Sequence, residues 1–160
     1  MIRDATDELA ELFTTCGGQV WRAVLAASAG RRDIADDVTA EAFSQYLQHR
    51  EEVRDPLAYL FRIAYRLLAK ERARERHHVE LLDRDEVAAS QSVLSPALTE
   101  ALLGVSIEQR FAVVLHYFCD YPVSDVARLT GASVPAVKVR LHRARKQLRE
   151  ALPEREANDV

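Results

Sequence analysis

Between Val123 and Leu148 the chain reads VSDVARLTGASVPAVKVRLHRARKQL: a short helical pattern, a glycine, and a longer helical pattern dense in cations. Val126 and Ala127 place an apolar and a small side chain where a second helix must come close. Gly131 stands four residues later, where the chain reverses and a positive φ is easiest for glycine. Val137, Leu141, Ala144 and Leu148 then recur on one helical face, which must be buried. The other faces carry Lys138, Arg140, His142, Arg143, Arg145, Lys146 and Arg149. The spacing predicts a helix-turn-helix whose second helix presents cations suited to phosphates.

The net charge of −3 argues weakly against such a partner until it is divided along the chain. Residues 1–55 hold six basic and eleven acidic side chains, residues 56–78 six and two, residues 79–108 one and six, and residues 109–150 eight and three. Two basic segments alternate with two acidic ones. The mean therefore hides two candidate surfaces for nucleic acid.

With 160 residues, 48% of them hydrophobic, the chain can bury one core or two small ones. Strand-forming runs are nearly absent, which predicts an all-α fold. Asp7 to Thr15 carries Leu9, Leu12 and Phe13; Gly17 and Gly18 suggest a break before a second helix with Val20, Trp21, Val24 and Leu25, whose apolar face should pack on the first. Gly30 is a plausible stop. A third helix from Asp33 to about Arg50 has Ile34, Val38, Ala42, Phe43, Tyr46 and Leu47 as its core side, and Asp37, Glu41, Ser44 and Gln48 opposite. Pro56 opens a fourth, striped by Leu57, Leu60, Phe61, Ala64 and Leu67, with Arg62, Arg66, Lys70 and Arg74 at four-residue spacing on another face. A solvated face is the bland explanation for such a stripe, but only Glu71 and Glu75 stand nearby to neutralise it. Residues 79–96 read as an acidic linker. A helix near Ala97–Gly104 and another from Ile107 to Phe118, with Phe111, Val114, Leu115 and Phe118 as a core stripe, precede the helix-turn-helix. The expected organisation is two small helical domains, 1–78 and 97–152, joined by that linker.

Other classes find little support. Cys16 and Cys119 form no disulfide framework, and His116 with Cys119 offers too few ligands for a structural zinc site. There is no glycine-rich phosphate loop and no nucleophile motif, so neither a catalytic site, a cofactor nor a metal is expected. Arg22 interrupts the most apolar stretch, so membrane insertion is not expected and a cytoplasmic protein is.

ADDVTAEAFSQYL (Ala35 to Leu47) followed by DPLAYLFRIAYRLL (Asp55 to Leu68), and then EQRFAVVLHYF (Glu108 to Phe118) followed by VKVRLHRARKQLRE (Val137 to Glu150), together resemble the extracytoplasmic-function (ECF) sigma factors. These are bacterial transcription initiation factors built from sigma regions 2 and 4. The resemblance covers nearly the whole chain, and both halves in this order are far more specific than a lone helix-turn-helix. It implies binding to core RNA polymerase, at the clamp helices of the largest subunit and the flap, binding to promoter DNA, and restraint by an anti-sigma factor.

Matched position by position, the resemblance makes Asp37 and Glu41 contacts to core polymerase, with Asp36 and Gln48 as neighbours. The family often has glutamine where this chain has Ala40. It implies that Arg62, Tyr65, Arg66, Lys70 and Arg74 engage the minus-ten element, where an exposed base can stack on an aromatic ring while cations hold the strand. Tyr65 and Arg66 replace the family's usual Arg-Asn pair, and the loop Glu51 to Asp55 corresponds to where the family captures an extruded base. For the minus-thirty-five duplex the matched residues are Ser133, Pro135, Ala136, Lys138, Val139, Arg140, His142 and Arg143. The cations serve mainly phosphates; Ser133 caps the helix; Pro135, Ala136 and Val139 meet thymine methyls or allow close approach. The alternative is a helix-turn-helix regulator of the response-regulator type acting without polymerase, which leaves the basic fourth helix and the Asp37/Glu41 face unexplained.

Overall fold

The computed structural model describes residues 4–79 and 92–152. Most of the expected linker therefore lies outside the described residues. The described residues are helical almost throughout and contain no strand beyond an isolated bridge between Arg31 and Ser92. In chain order the helices are α1 (Ala5–Leu12), α2 (Gly18–Ala27), α3 (Arg32–His49), α4 (Pro56–Val79), α5 (Pro96–Leu103), α6 (Ile107–Val113), α7 (Val123–Thr130) and α8 (Val134–Ala151).

The break expected at Gly17 and Gly18 does not occur. A wide π-turn over Phe13–Gly17 joins α1 to α2, and both glycines keep right-handed helical angles. The two segments form one continuous rod, so their faces cannot pack on each other. The local chemistry explains the wide turn. The hydroxyls of Thr14 and Thr15 donate to the carbonyls of Ala10 and Glu11, both at 2.8 Å, in competition with the backbone ladder. Gly17 then lets the Phe13 ring lie against the backbone: a Cβ there would stand 3.3 Å from the ring. Phe13 remains 55% exposed, with its ring edge-to-face on Phe43 at 5.1 Å.

Gly30 is the stop expected of it, with φ of 85° after Ala29 at 57°. Here the conformation and the space both demand glycine, since a Cβ would meet Ser92 Oγ at 2.4 Å and Leu94 Cγ at 2.8 Å. Ser92 ties this corner together. Its hydroxyl donates to the Ala29 carbonyl at 2.6 Å and accepts from Thr99 Oγ1 at 2.9 Å, while Val93 N–H donates to Gly30 O at 3.0 Å. The start of the C-terminal half is thus fastened to a turn of the N-terminal half.

Helix α3 buries Ile34, Val38, Ala42 and Phe43 as the pattern predicts, but Leu47 is 38% exposed. The helix is entering its final 3-10 turn there, so the apolar stripe drifts off the core. Helix α4 buries Leu60, Phe61, Ile63, Ala64 and Leu68 between the two halves. Asp55 starts it, its Oδ1 accepting from Ala58 N–H at 3.2 Å.

In the second half, Ser95 and Ser106 cap α5 and α6. Phe111, Val114 and Leu115 are fully buried, but Phe118, expected on the same stripe, is 55% exposed. A second π-turn over Val114–Phe118 shifts the helical register and swings Phe118 outward. The helix-turn-helix itself matches its pattern: Gly131 closes α7 with φ of 69°, Ser133 Oγ accepts from Ala136 N–H at 3.2 Å, and Val137, Leu141, Ala144 and Leu148 are buried.

The halves share one core. Phe61 of α4 meets Tyr121 edge-to-face at 6.3 Å, and Tyr65 meets Phe111 likewise at 5.6 Å. Arg110, only 2% exposed, sends Nη1–H to the carbonyl of Ala27 at 2.7 Å and Nη2–H to that of Val105 at 2.9 Å. A narrow cavity bordered by Ser28, Ile34, Leu68, Thr99, Leu103 and Arg110 runs along this seam.

Candidate polymerase and nucleic-acid interfaces

Three surfaces carry the residues singled out from sequence. The first is the outer face of α3, where the buried stripe holds the helix so that Asp36, Asp37, Glu41 and Gln48 are all exposed. Their surroundings differ. Asp36 Oδ1 accepts a 2.8 Å hydrogen bond from the Trp21 indole of α2, and Glu41 Oε1 accepts from Gln45 Nε2 at 3.0 Å. The Trp21 contact was not anticipated from sequence; the two residues lie fifteen positions apart, and only the packing of α2 on α3 joins them. It fixes the Asp36 carboxylate at the edge of the acidic row.

The second surface is α4. Arg62, Arg66 and Lys70 are exposed, whereas the Arg74 side chain lies outside the described residues. Tyr65 is half-buried beneath the C-terminal half, its ring on Phe111 and its hydroxyl hydrogen-bonded with Glu108. Burial, then the Glu108 bond and charge, push its pKa above the usual tyrosine value, with Arg140 opposing. Arg62 Nη2–H donates to the carbonyl of Arg128 at 3.3 Å, and its guanidinium lies against Gly131. Arg128 in turn pairs with Asp55 in the loop before α4. Thus two of the predicted minus-ten residues, and the last residue of the matching loop, face the other half of the molecule.

The third surface is α8. Ser133, Pro135, Lys138, Val139, His142 and Arg143 are exposed, with Val139 at 47% although it is apolar. Ala136 and Arg140 are partly buried. Arg140 lies close enough to Tyr65 to act on it electrostatically, so it borders the seam between halves. Arg145, Lys146 and Arg149 continue the face from His142 beyond the expected set. The exposed start of α8 adds the positive end of its helix dipole to that field, while the Ala136 N–H is already taken by Ser133 Oγ.

Among the described residues no three His, Cys, Asp or Glu side chains come together as a metal site, and no helix is long and apolar enough to cross a membrane. Burial raises the pKa of both Cys16 and Cys119. His116 is held by its Nδ1–H, donated to Tyr121 O at 2.7 Å.

A helical protein with an exposed acidic helix face, a cationic helix beside it and a C-terminal helix-turn-helix has the organisation of a transcription factor that contacts DNA at more than one place. Comparison with known proteins narrows the class. The sigma-70 region 4 family matches residues 95–148, which take in α5, α6, α7 and all but the last turn of α8. The ECF RNA polymerase sigma factor SigL of Mycobacterium tuberculosis is 31% identical over 158 residues, covering 89% of this chain and 88% of SigL. The ECF RNA polymerase sigma factor BldN of Streptomyces coelicolor is 29% identical over 140 residues; the match takes in 78% of this chain and spans about half of that relative, 53%. In structure the chain resembles the sigma factor RpoE from Bartonella quintana, solved with the anti-sigma factor NepR, at a TM-score of 0.64 and 24% identity over 91% of this chain and 96% of that one. The chain belongs to the ECF RNA polymerase sigma factors. That family is not a class of enzymes, and the whole-chain match favours the sigma reading over a free-standing helix-turn-helix regulator.

Proposed function

We propose that this protein directs core RNA polymerase to a specific set of promoters in the bacterial cytoplasm, with α3 docking on polymerase, α4 engaging the opened minus-ten strand and α8 holding the minus-thirty-five duplex. The observation that carries the reading is the division of charge among rigid helices. A buried stripe on each of α3, α4 and α8 turns an acidic row, a basic row and a second basic row outward. Acidic and basic functions are thus kept apart on separate elements, as a factor bridging a protein partner and two stretches of DNA requires.

On α3, Asp37 and Glu41 supply charges for the clamp helices, with Asp36 and Gln48 beside them; the flap is the natural partner of the C-terminal half. On α4, Arg62, Arg66, Lys70 and Arg74 hold phosphates while Tyr65 offers a stacking face. On α8, Lys138, Arg140, His142 and Arg143 ride on phosphates and base edges, Ser133 positions the helix start, and Pro135, Ala136 and Val139 form its closest approach to the groove. An anti-sigma factor would act by covering the α3 and α8 faces. The test is transcription from a matching promoter with purified core polymerase. Polymerase-dependent initiation supports the reading; a chain that binds duplex DNA alone yet neither associates with core nor supports initiation refutes it.

A further inference from the structure

Arg110 is 2% exposed, and the groups its guanidinium reaches, the carbonyls of Ala27 and Val105, are neutral. Its Nε–H is buried and finds no acceptor in the protein. A guanidinium taken out of water is costly unless a counter-charge and a full set of acceptors accompany it. The negative end of α2 supplies part of that charge through Ala27 O. The rest is unmet, and Arg110 lines the cavity along the seam. Arg31 and Glu71 also border the cavity, but both keep contact with solvent, and Arg31 pairs with Asp33 at 2.8 Å. Among the charged residues of the lining, Arg110 is the one whose charge solvent does not screen.

The hydroxyls in the lining restrict what can sit beside that cation. Thr99, 2% exposed, donates its proton to Ser92 Oγ at 2.9 Å, because the Ser92 proton goes to the Ala29 carbonyl at 2.6 Å. Ser28 gives its proton to the carbonyls of Leu25 and Arg31, at 3.0 and 3.3 Å, which can only accept. Both oxygens have lone pairs left and no proton to give. An occupant must therefore accept from a cation at one end and donate at the other. The cavity, about 40 Å³, has room for about three waters or an anion of similar size. Water fits the hydrogen-bond pattern and leaves the charge unmet. Chloride, nitrate and formate meet the charge and have no proton to donate. Bicarbonate is a planar anion of the required size that carries its own O–H.

We propose that the seam cavity is a binding site for bicarbonate, held through its oxygens by Arg110 Nε–H and through its O–H by Thr99 Oγ1, with Ser28 Oγ as a neighbouring acceptor. The site rests on these residues and is independent of the sigma reading. Its walls come from four elements: Ser28 follows α2, Leu68 belongs to α4, Thr99 to α5 and Arg110 to α6. A ligand held by all four binds the folded chain and not the unfolded one, so it stabilises the packing of the halves by mass action.

The experiment is a titration of protein isotopically labelled at arginine Nε, in sealed, carbonate-free buffer at fixed pH. Bicarbonate is added, and separately nitrate, formate and chloride at the same ionic strength. Nuclear magnetic resonance follows the Arg110 Nε–H signal, assigned by its loss in Arg110→Lys, and thermal melts are recorded in parallel. Bicarbonate should shift the signal saturably and raise the melting temperature by a few degrees. The other anions should bind at least about tenfold more weakly, since each lacks one hydrogen bond in a buried site. Ile107→Phe narrows the cavity from its apolar wall and should abolish the shift. Thr99→Val should reduce bicarbonate to the level of nitrate. Circular dichroism checks that both variants are helical; they alter different walls, so either one suffices if the other fails to fold. A signal indifferent to every anion leaves water as the occupant and overturns the proposal, as does a shift that survives in Ile107→Phe. Equal binding of nitrate and bicarbonate by the wild type overturns the assignment to an anion with its own O–H.

Discussion

The guanidinium of Arg110 crosses from the C-terminal half to the carbonyl of Ala27, in the last turn of α2, at 2.7 Å. A helix end leaves its final carbonyls without intrahelical donors, so a cation there satisfies both a lone pair and the negative end of the helix dipole. Nη2–H serves Val105 O in the same way, while Nε–H finds no partner in the protein and faces the seam. Arg110→Leu should lower the free energy of unfolding by about 2–4 kcal/mol, because two carbonyls lose a charged donor within an apolar setting. Arg110→Lys should recover little of it, since an ammonium lacks the planar fork that reaches both oxygens. Urea denaturation of the three proteins measures this.

At the neighbouring corner the expected effect comes from the backbone. Gly30→Ala forces a left-handed residue with a Cβ inside the radii of Ser92 Oγ and Leu94 Cγ. Backbone strain alone costs about 1–3 kcal/mol, and the clash adds to it by pushing the Ser92 segment off the Ala29 turn. The variant should lose several degrees in melting temperature. Gly18→Ala is the control: its angles are helical and a Cβ meets nothing closer than 4.0 Å, so it should be neutral or slightly stabilising.

These two glycines also mark what the sequence could reveal. Glycine pairs are ambiguous, since they permit a break without requiring one; at Gly17–Gly18 the Thr14 and Thr15 hydroxyls and the Phe13 ring gave a wide turn instead. Buried stripes on α4 and α8 were legible because a 3.6-residue period reports directly on which face is covered. Phe118 escaped that logic, as a π-turn changes the period inside the helix. The outward sets on α3 and α8 were legible for the same reason as the stripes. What no single-helix pattern could disclose is that Tyr65, Arg62 and Arg140 face the seam, for this depends on how one half meets the other.

Tyr65 supplies a pH signature of that seam. Its pKa is raised first by burial and then by the Glu108 hydrogen bond and charge. A group that holds its proton more tightly when packed contributes its full stabilisation below the ordinary tyrosine pKa of about 10, and loses it as pH rises through the higher folded value. The packing at the seam should therefore weaken only above about pH 10. Ultraviolet difference titration of tyrosinate should show a late component that Tyr65→Phe removes and that Glu108→Gln moves towards lower pH. Tyr121, raised mainly by burial, accounts for a second late component that survives both changes.

On α3, Asp37→Arg combined with Glu41→Arg should abolish association with core polymerase while leaving the melting temperature within about 1–2 °C, because both side chains are exposed and surface changes of this kind cost little. Asp36→Ala should behave differently. It removes the acceptor of the Trp21 indole, so it should shift tryptophan fluorescence and lower stability by about 0.5–1.5 kcal/mol. Core pull-down beside thermal melts separates the two effects. If the double variant binds core as wild type does, the acidic row is not the docking face.

On α8, Lys138 and Arg143 are exposed and stand off the buried stripe, and the proposed reading gives them phosphate contacts. Each phosphate contact releases counterions, so log affinity falls with log salt at a slope of about −0.9 per neutralised phosphate. Lys138→Ala and Arg143→Ala should each weaken duplex binding by the assembled holoenzyme and reduce that slope by about one, uniformly across promoter sequences. Val139→Ala should leave the slope unchanged, because it carries no charge, and should instead narrow the discrimination between sites that differ by a thymine methyl. Salt titration of promoter affinity for the three variants distinguishes the roles. A slope that does not move for Lys138→Ala or Arg143→Ala would remove that residue from the phosphate-contacting set and leave the cations of the last turns, Arg145, Lys146 and Arg149, to supply the electrostatic grip.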